Sequence, residues 1–206
     1  MSDDARITVP RALTREQRAR RERLVESARL LALEGGYGAV TMHDVADRAD
    51  VGRATVYRYF ASKDHLLTEV AATWARRITD DVDAVAVAAA TGETPAERLT
   101  SLLERIVRVA AEELTLTSAV VQAVTSDDAG VDDSRTVLFR FVRDRLATAI
   151  GDPVPEREEV EVALGYVLLG ALVSLTSLRR PVDEVAAMVR ASGRLVLAGA
   201  LAGAAT

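Results

Sequence analysis

Apolar residues in this chain recur at intervals of three and four, and no segment alternates polar with apolar over the length of a strand, which confines the fold to helices. Leu24, Ala28 and Leu31, flanked by Val25 and Ala32, draw one buried stripe over residues 15–34. Gly35-Gly36 is placed to end that helix, because glycine takes the left-handed conformation without a side-chain clash. Thr41 offers the next cap, with Asp44 at the return position of a capping box, and a short helix follows through Val45, Ala46 and Ala49. Asp50-Val51-Gly52 breaks it, and a second short helix is predicted from Arg53 to Phe60. Ser62 caps a longer one with apolar positions at Leu66, Leu67, Val70, Ala71, Trp74, Ile78 and Val82. A stop at Thr91-Gly92-Glu93-Thr94-Pro95 precedes helices expected over 96–113, 116–124 and 134–150. Two last stripes follow, Val160, Leu164, Val167, Leu168, Ala171, Leu175 and Leu178, then Val185, Val189, Ser192 and Val196, joined at Arg179-Arg180-Pro181. The expectation is an all-α chain of about nine helices. Its 4% aromatic content and 5 prolines also argue against a sandwich of many short strands.

Several function classes fall away on composition. With no cysteine there is no disulfide, thiolate metal site or cysteine nucleophile. His43 and His65 are the only histidines, and neither has a second histidine at ligand spacing on one helix face. No catalytic residue, metal or cofactor is therefore predicted. A helical enzyme would also lack a glycine-rich phosphate loop and any histidine in the C-terminal half. The opening Met-Ser-Asp-Asp lacks the basic-then-apolar profile of a signal peptide, and the longest uncharged stretch, 17 residues over 162–178, is shorter than the roughly 20 a membrane span needs. The expectation is a cytoplasmic protein with no membrane partner.

Charge divides the chain. Residues 6–79 hold 14 Arg+Lys against 9 Asp+Glu, whereas residues 80–206 hold 12 against 20. A basic segment on an acidic body can present one face to nucleic acid while the whole avoids indiscriminate polyanion binding; a solvated charged surface fits the same count.

The segment from Val40 to Leu67 gives the charge a use. Two short helices joined by a tight turn, set between longer ones, form the arrangement that lays its second helix in the DNA major groove. Arg53 stands at the start of that helix, where its guanidinium can reach guanine O6 and N7. Ala54 and Thr55 are small enough for close approach, and Thr55 adds a hydroxyl and a methyl group. Tyr57 and Tyr59 carry hydroxyls suited to phosphate. Lys63 lies in the first turn of the next helix, where its ammonium and the terminal amides attract one phosphate. Val56 and Phe60 face inward.

The run from Gly35 to Leu67, with Thr55-Val56-Tyr57-Arg58-Tyr59-Phe60-Ala61-Ser62-Lys63-Asp64-His65-Leu66-Leu67 at its core, resembles the DNA-binding domain of the TetR family of transcriptional regulators. The resemblance is close over the first quarter of the chain and general over the helical remainder. It implies a DNA-binding domain over residues 1–62, a ligand-binding and dimerisation domain over 63–206, and a homodimer that grips a palindromic double-stranded operator until a small-molecule effector changes the spacing of its two DNA-binding heads. Carried over by position, Thr41 and His43 approach DNA from the second helix; Arg53, Ala54, Thr55 and Tyr57 lie against bases; Arg58, Tyr59 and Lys63 sit at phosphates. Arg53 stands where many members have serine or a small residue, so the preferred bases are expected to differ. The arginine-rich stretch over 6–23 fits either an arm on DNA or a solvated helix face. The likeness is strongest to regulators of lipid or steroid breakdown, which implies an acyl-CoA thioester as effector.

For the second half the resemblance implies a pocket built by helices between about Trp74 and Leu178, expected to be mainly apolar. Trp74, Phe139, Phe141 and Tyr166 are its candidate lining, although core packing suits the same positions. Leu164, Leu168, Ala171, Leu175, Val189 and Val196 are the candidate dimer interface, a helical hairpin doubled into four helices around small residues such as Gly165, Gly170 and Gly199. Against this repressor reading stand a constitutive DNA-binding protein without an effector and a helical enzyme.

Overall fold

Helix starts fall where a side chain can replace a missing backbone partner. In the computed structural model, which describes residues 13–88, 94–151 and 154–203, Thr14 and Gln17 form a full capping box before α1 (Arg15–Ala39). Thr94 and Glu97 form another before α5 (Pro95–Glu112), which carries Pro95 in its first turn. Thr41 Oγ1 accepts from the Asp44 amide at 3.1 Å to start α2 (Met42–Arg48), but the Asp44 carboxylate takes the Thr41 hydroxyl rather than its backbone N–H, so this box is half made. Asp50 turns the chain through the left-handed region at φ 54, and α3 (Arg53–Tyr59) follows Gly52. Ser62 Oγ accepts from the His65 amide to open α4 (Lys63–Ala88). The remaining helices are α6 (Leu114–Val124), α7 (Asp132–Ile150), α8 (Arg157–Thr176) and α9 (Val182–Gly203), with a 3-10 turn at Ala129–Val131. Nine α-helices and no strand among the described residues bear out the all-α expectation.

One local detail differs from expectation. The glycine pair bends the first helix rather than ending it: Gly36 sits at φ 69, ψ −160, a conformation reserved for glycine, and a further turn runs on to Ala39. Residues 91–93 of the expected stop and residues 6–12 of the arginine-rich stretch lie outside the described residues.

One hydrophobic core runs through the molecule. Leu24 and Ala28 of α1 meet Val45, Val56, Phe60 and Leu66, all fully buried, in a three-helix head closed by the start of α4. In the second half α5 packs along α9 and α8 lies against both α9 and α7. Gly193 is the small residue that the packing uses, since a Cβ there would come within 3.0 Å of Leu103 Cδ1 on α5. Arginines finish two helices by donating to their last carbonyls: Arg98 to Ala149 and Ile150, Arg135 to Val124 and Ser126. The halves are joined by α1 packing on α6 and α4.

The helix Arg157–Thr176 starts before the uncharged stretch and takes in most of it, and α8 and α9 are both long and apolar enough, by length and composition, to cross a membrane. Each nevertheless buries one face in the protein core, through Leu164, Leu168 and Leu175 on α8 and Val185, Val189 and Leu197 on α9.

Candidate nucleic-acid interface and ligand cavity

The head exposes one side of α3. Arg53, Ala54, Tyr57 and Arg58 are exposed and Thr55 is half-buried, while Val56 and Phe60 have no exposed surface. The structure thus separates a polar row from the residues that anchor it. Tyr57 is 57% exposed, so its hydroxyl is available to a large polyanion. Arg53 Nε donates to His43 Nδ1 at 3.0 Å, bringing together two side chains that the sequence set ten positions apart. Arg48 and Glu34, which sequence reasoning passed over, brace α2 on α1 with a two-pronged ion pair at 2.6 and 2.8 Å.

Three candidate contacts are placed otherwise than expected. Tyr59 turns its hydroxyl into the protein, where it is buried and makes no hydrogen bond, so the oxygen does not face a phosphate. Lys63 Nζ folds back onto Tyr37, donating to its carbonyl at 3.1 Å and lying 3.5 Å from its ring centre; partial burial lowers its pKa. Thr41 is exposed, but its hydroxyl is committed to Asp44. Each correction has one physical cause. A polar tip near a helix end finds an intramolecular partner or an apolar wall, and a local sequence pattern does not show which.

The second half contains a cavity of about 410 Å³ between α4, α5, α6, α7 and α8. Trp74, Phe139, Phe141 and Tyr166 all line it, beside Ile78, Leu102, Ile106, Val120 and Leu168. Phe139 and Tyr166 are exposed at its edge, whereas Trp74 is only 7% exposed. Its walls are mostly apolar, and its polar component comes from Arg140, Arg143 and Arg145 on α7 with Thr79 and Thr136. Arg145 and Arg76 stand 5.1 and 5.7 Å from the Phe141 ring centre. The arrangement suits a molecule with an apolar body and an anionic end.

Side-chain interactions run from the second half to the head. Trp74 Nε1 donates to Glu113 Oε2 at 2.6 Å, at the junction of α5 and α6. Glu113 in turn acts on Arg29 of α1, whose pKa is raised chiefly by its hydrogen bonds to Glu26. On the opposite side Ser134 of α7 donates to Glu69 of α4, which pairs with Arg21 of α1 at 2.7 Å. Asp128, just before the 3-10 turn, bonds to Ser62, and that hydrogen bond is the first cause of its lowered pKa. None of the partners on different helices was legible locally, because they lie 39 to 84 positions apart.

The candidate interface residues of the last two helices are mostly inside the protomer. Leu164, Leu168, Ala171, Leu175 and Val189 are all buried and Val196 is half-buried. They pack on the chain's own neighbouring helices. A helix apolar all round has two candidate faces, and spacing alone chose the inward one. The outward face carries Val162, Tyr166, Met188, Leu195 and Leu201, with Leu195 73% exposed. A Cβ added at Gly165, Gly170 or Gly199 would meet nothing within 4 Å.

Among the described residues no group of three or more His, Asp or Glu side chains is arranged to hold a metal ion. Residues 24–70 match the model described as bacterial regulatory proteins, tetR family, and residues 92–196 match a tetracyclin repressor-like C-terminal domain. The HTH-type transcriptional repressor KstR of Mycobacterium tuberculosis is 32% identical over 183 residues, 88% of this chain and 82% of that protein. A solved TetR transcriptional regulator from Rhodococcus sp. RHA1 superposes with a TM-score of 0.78 at 28% identity, covering 90% of this chain and 98% of the other. Thermus thermophilus FadR, a TetR-family repressor solved with lauroyl-CoA, shares the fold at a TM-score of 0.69 and 19% identity over 86% of this chain and 93% of its own. The chain belongs to the TetR family of bacterial regulatory proteins.

Proposed function

We propose that this protein is a sequence-specific repressor whose two-headed dimer binds a palindromic operator and is released from it by an amphipathic effector. The observation that carries the reading is the exposed row Arg53, Ala54, Tyr57 and Arg58 on a helix pinned by the buried Val56 and Phe60, a side-chain set suited to major-groove contact. Cytoplasmic location and the absence of catalytic chemistry belong to the same proposal. So does the division of the chain near Ser62 into DNA-binding and regulatory parts.

The exposed apolar face of α8 and α9 supports dimerisation through those helices, with Leu195 and Tyr166 at its centre in place of the buried stripe. Two recognition helices then read half-sites about one turn, roughly 34 Å, apart. The cavity favours an effector-responsive protein over a constitutive DNA binder. Its apolar walls and arginine edge support an acyl-CoA thioester, with the acyl group against Trp74 and Ile78 and the phosphates toward the arginines of α7. Such a ligand acts only through its preference for the state that does not fit DNA. A role in lipid or steroid breakdown follows from that ligand class.

The test is selection of bound duplexes from a randomised library. The expected product is an inverted repeat with half-sites about one helical turn apart; enrichment of no sequence would refute the proposal.

A further inference from the structure

We infer that His43 is a positioning residue for operator specificity, holding Arg53 so that this arginine meets DNA end-on. The inference rests on the DNA-binding reading above. Arg53 Nε donates to His43 Nδ1 at 3.0 Å, across the turn that separates α2 from α3. Both side chains are exposed, so this bond, and not the core, fixes the guanidinium. A long arginine left free samples many rotamers and loses them on binding.

The chemistry of the imidazole sets the geometry. A ring nitrogen that accepts a hydrogen bond carries no proton, which puts the hydrogen of His43 on Nε2. The same Nδ1 lies 3.4 Å from Asp47 Oδ1, one turn further along α2. One nitrogen cannot accept from Arg53 and donate to Asp47 at once. The arginine has the shorter contact, and the carboxylate adds negative charge beside the guanidinium.

With Nε occupied, Arg53 keeps the N–H groups of Nη1 and Nη2, and the parallel pair at its tip is the fork that spans guanine O6 and N7. Without His43 the arginine can also present its Nε–Nη2 edge or turn to a phosphate, which carries no sequence information. His43 therefore determines how Arg53 reads a base without itself touching it.

The same library selection tests this with the full chain as wild type, R53A, H43A and H43N. Asparagine places an amide oxygen near the position of Nδ1 and can accept from Nε. Wild type and H43N should enrich one half-site with a guanine at the position that R53A ceases to specify. H43A should lose discrimination at that position by about tenfold, a larger loss than at any other position of the half-site. Misfolding would not produce a loss concentrated at one base. Four outcomes overturn the inference: H43A matching wild type, H43A relaxing a different position from R53A, H43A losing affinity for all duplexes equally, or H43N behaving as H43A. Wild type enriching no sequence at all overturns it together with the DNA-binding reading, and so separates the two failures.

Discussion

Replacing Trp74 by phenylalanine removes one hydrogen bond between the cavity wall and the α5–α6 junction while leaving an aromatic ring in place. The lost bond runs to the Glu113 carboxylate at 2.6 Å, and a hydrogen bond to a charged group contributes about 1.5–3 kcal/mol. Trp74 is 7% exposed, so the missing part of the indole leaves a gap that costs about 1 kcal/mol more. A total of about 2.5–4 kcal/mol in a chain of this length corresponds to a fall in Tm of about 10 °C. The assay is thermal unfolding at fixed protein concentration of wild type, W74F, E113Q and the double variant. If the two residues act through their mutual bond, the cycle shows a coupling of about 1.5 kcal/mol. Additive effects, within about 0.5 kcal/mol, would refute the reasoning. Trp74 is also the sole tryptophan, so its emission in wild type reports directly on cavity occupancy.

Three further outcomes are expected. Leu195→Glu should convert the dimer to monomers by light scattering with the protomer still folded, whereas Ala171→Asp, at a site buried in the protomer, should unfold it; a dimer mass retained by Leu195→Glu removes this face from the interface. Desolvation and the hydrogen bond to Asp64 push the Tyr37 phenol up to about 12. Because this pKa is raised, the contribution is complete below about pH 10 and is lost as pH rises from about 10 to 12; Tyr37→Phe should flatten that part of the stability profile, and an unchanged profile contradicts it. Gly151→Ala should destabilise by about 1–2 kcal/mol, since Gly151 sits at φ 77 and a Cβ would come within 2.8 Å of Arg98 Nη2; unchanged urea unfolding would contradict the strain.

What could be read beforehand was whatever a helix writes into its own neighbourhood. The stripe Leu24, Ala28 and Leu31 with Val25 and Ala32 beside it, the caps Thr41 and Ser62 and the inward pair Val56 and Phe60 are local patterns with a period or a fixed offset, and the fold honours them with Leu31 alone left half-buried. The row on α3 was legible for the same reason, because once Val56 is inside, the opposite residues are outside. Pairings across the chain left no such mark. Glu113 is an unremarkable carboxylate until Trp74, 39 positions away, is brought to it. Lys63 reads as a phosphate ligand until Tyr37 closes over its ammonium. On α8 both faces are apolar, so only the packing of α9 and α7 decides that Leu168 is core and Tyr166 is surface.

Release by an effector requires coupling between cavity and head, and its direct measurement is affinity for the selected operator duplex with and without saturating lauroyl-CoA, with Trp74 emission recording binding. Operator affinity should fall at least about tenfold, and the operator should weaken lauroyl-CoA binding by the same factor. An emission change with operator affinity unaltered would contradict the account.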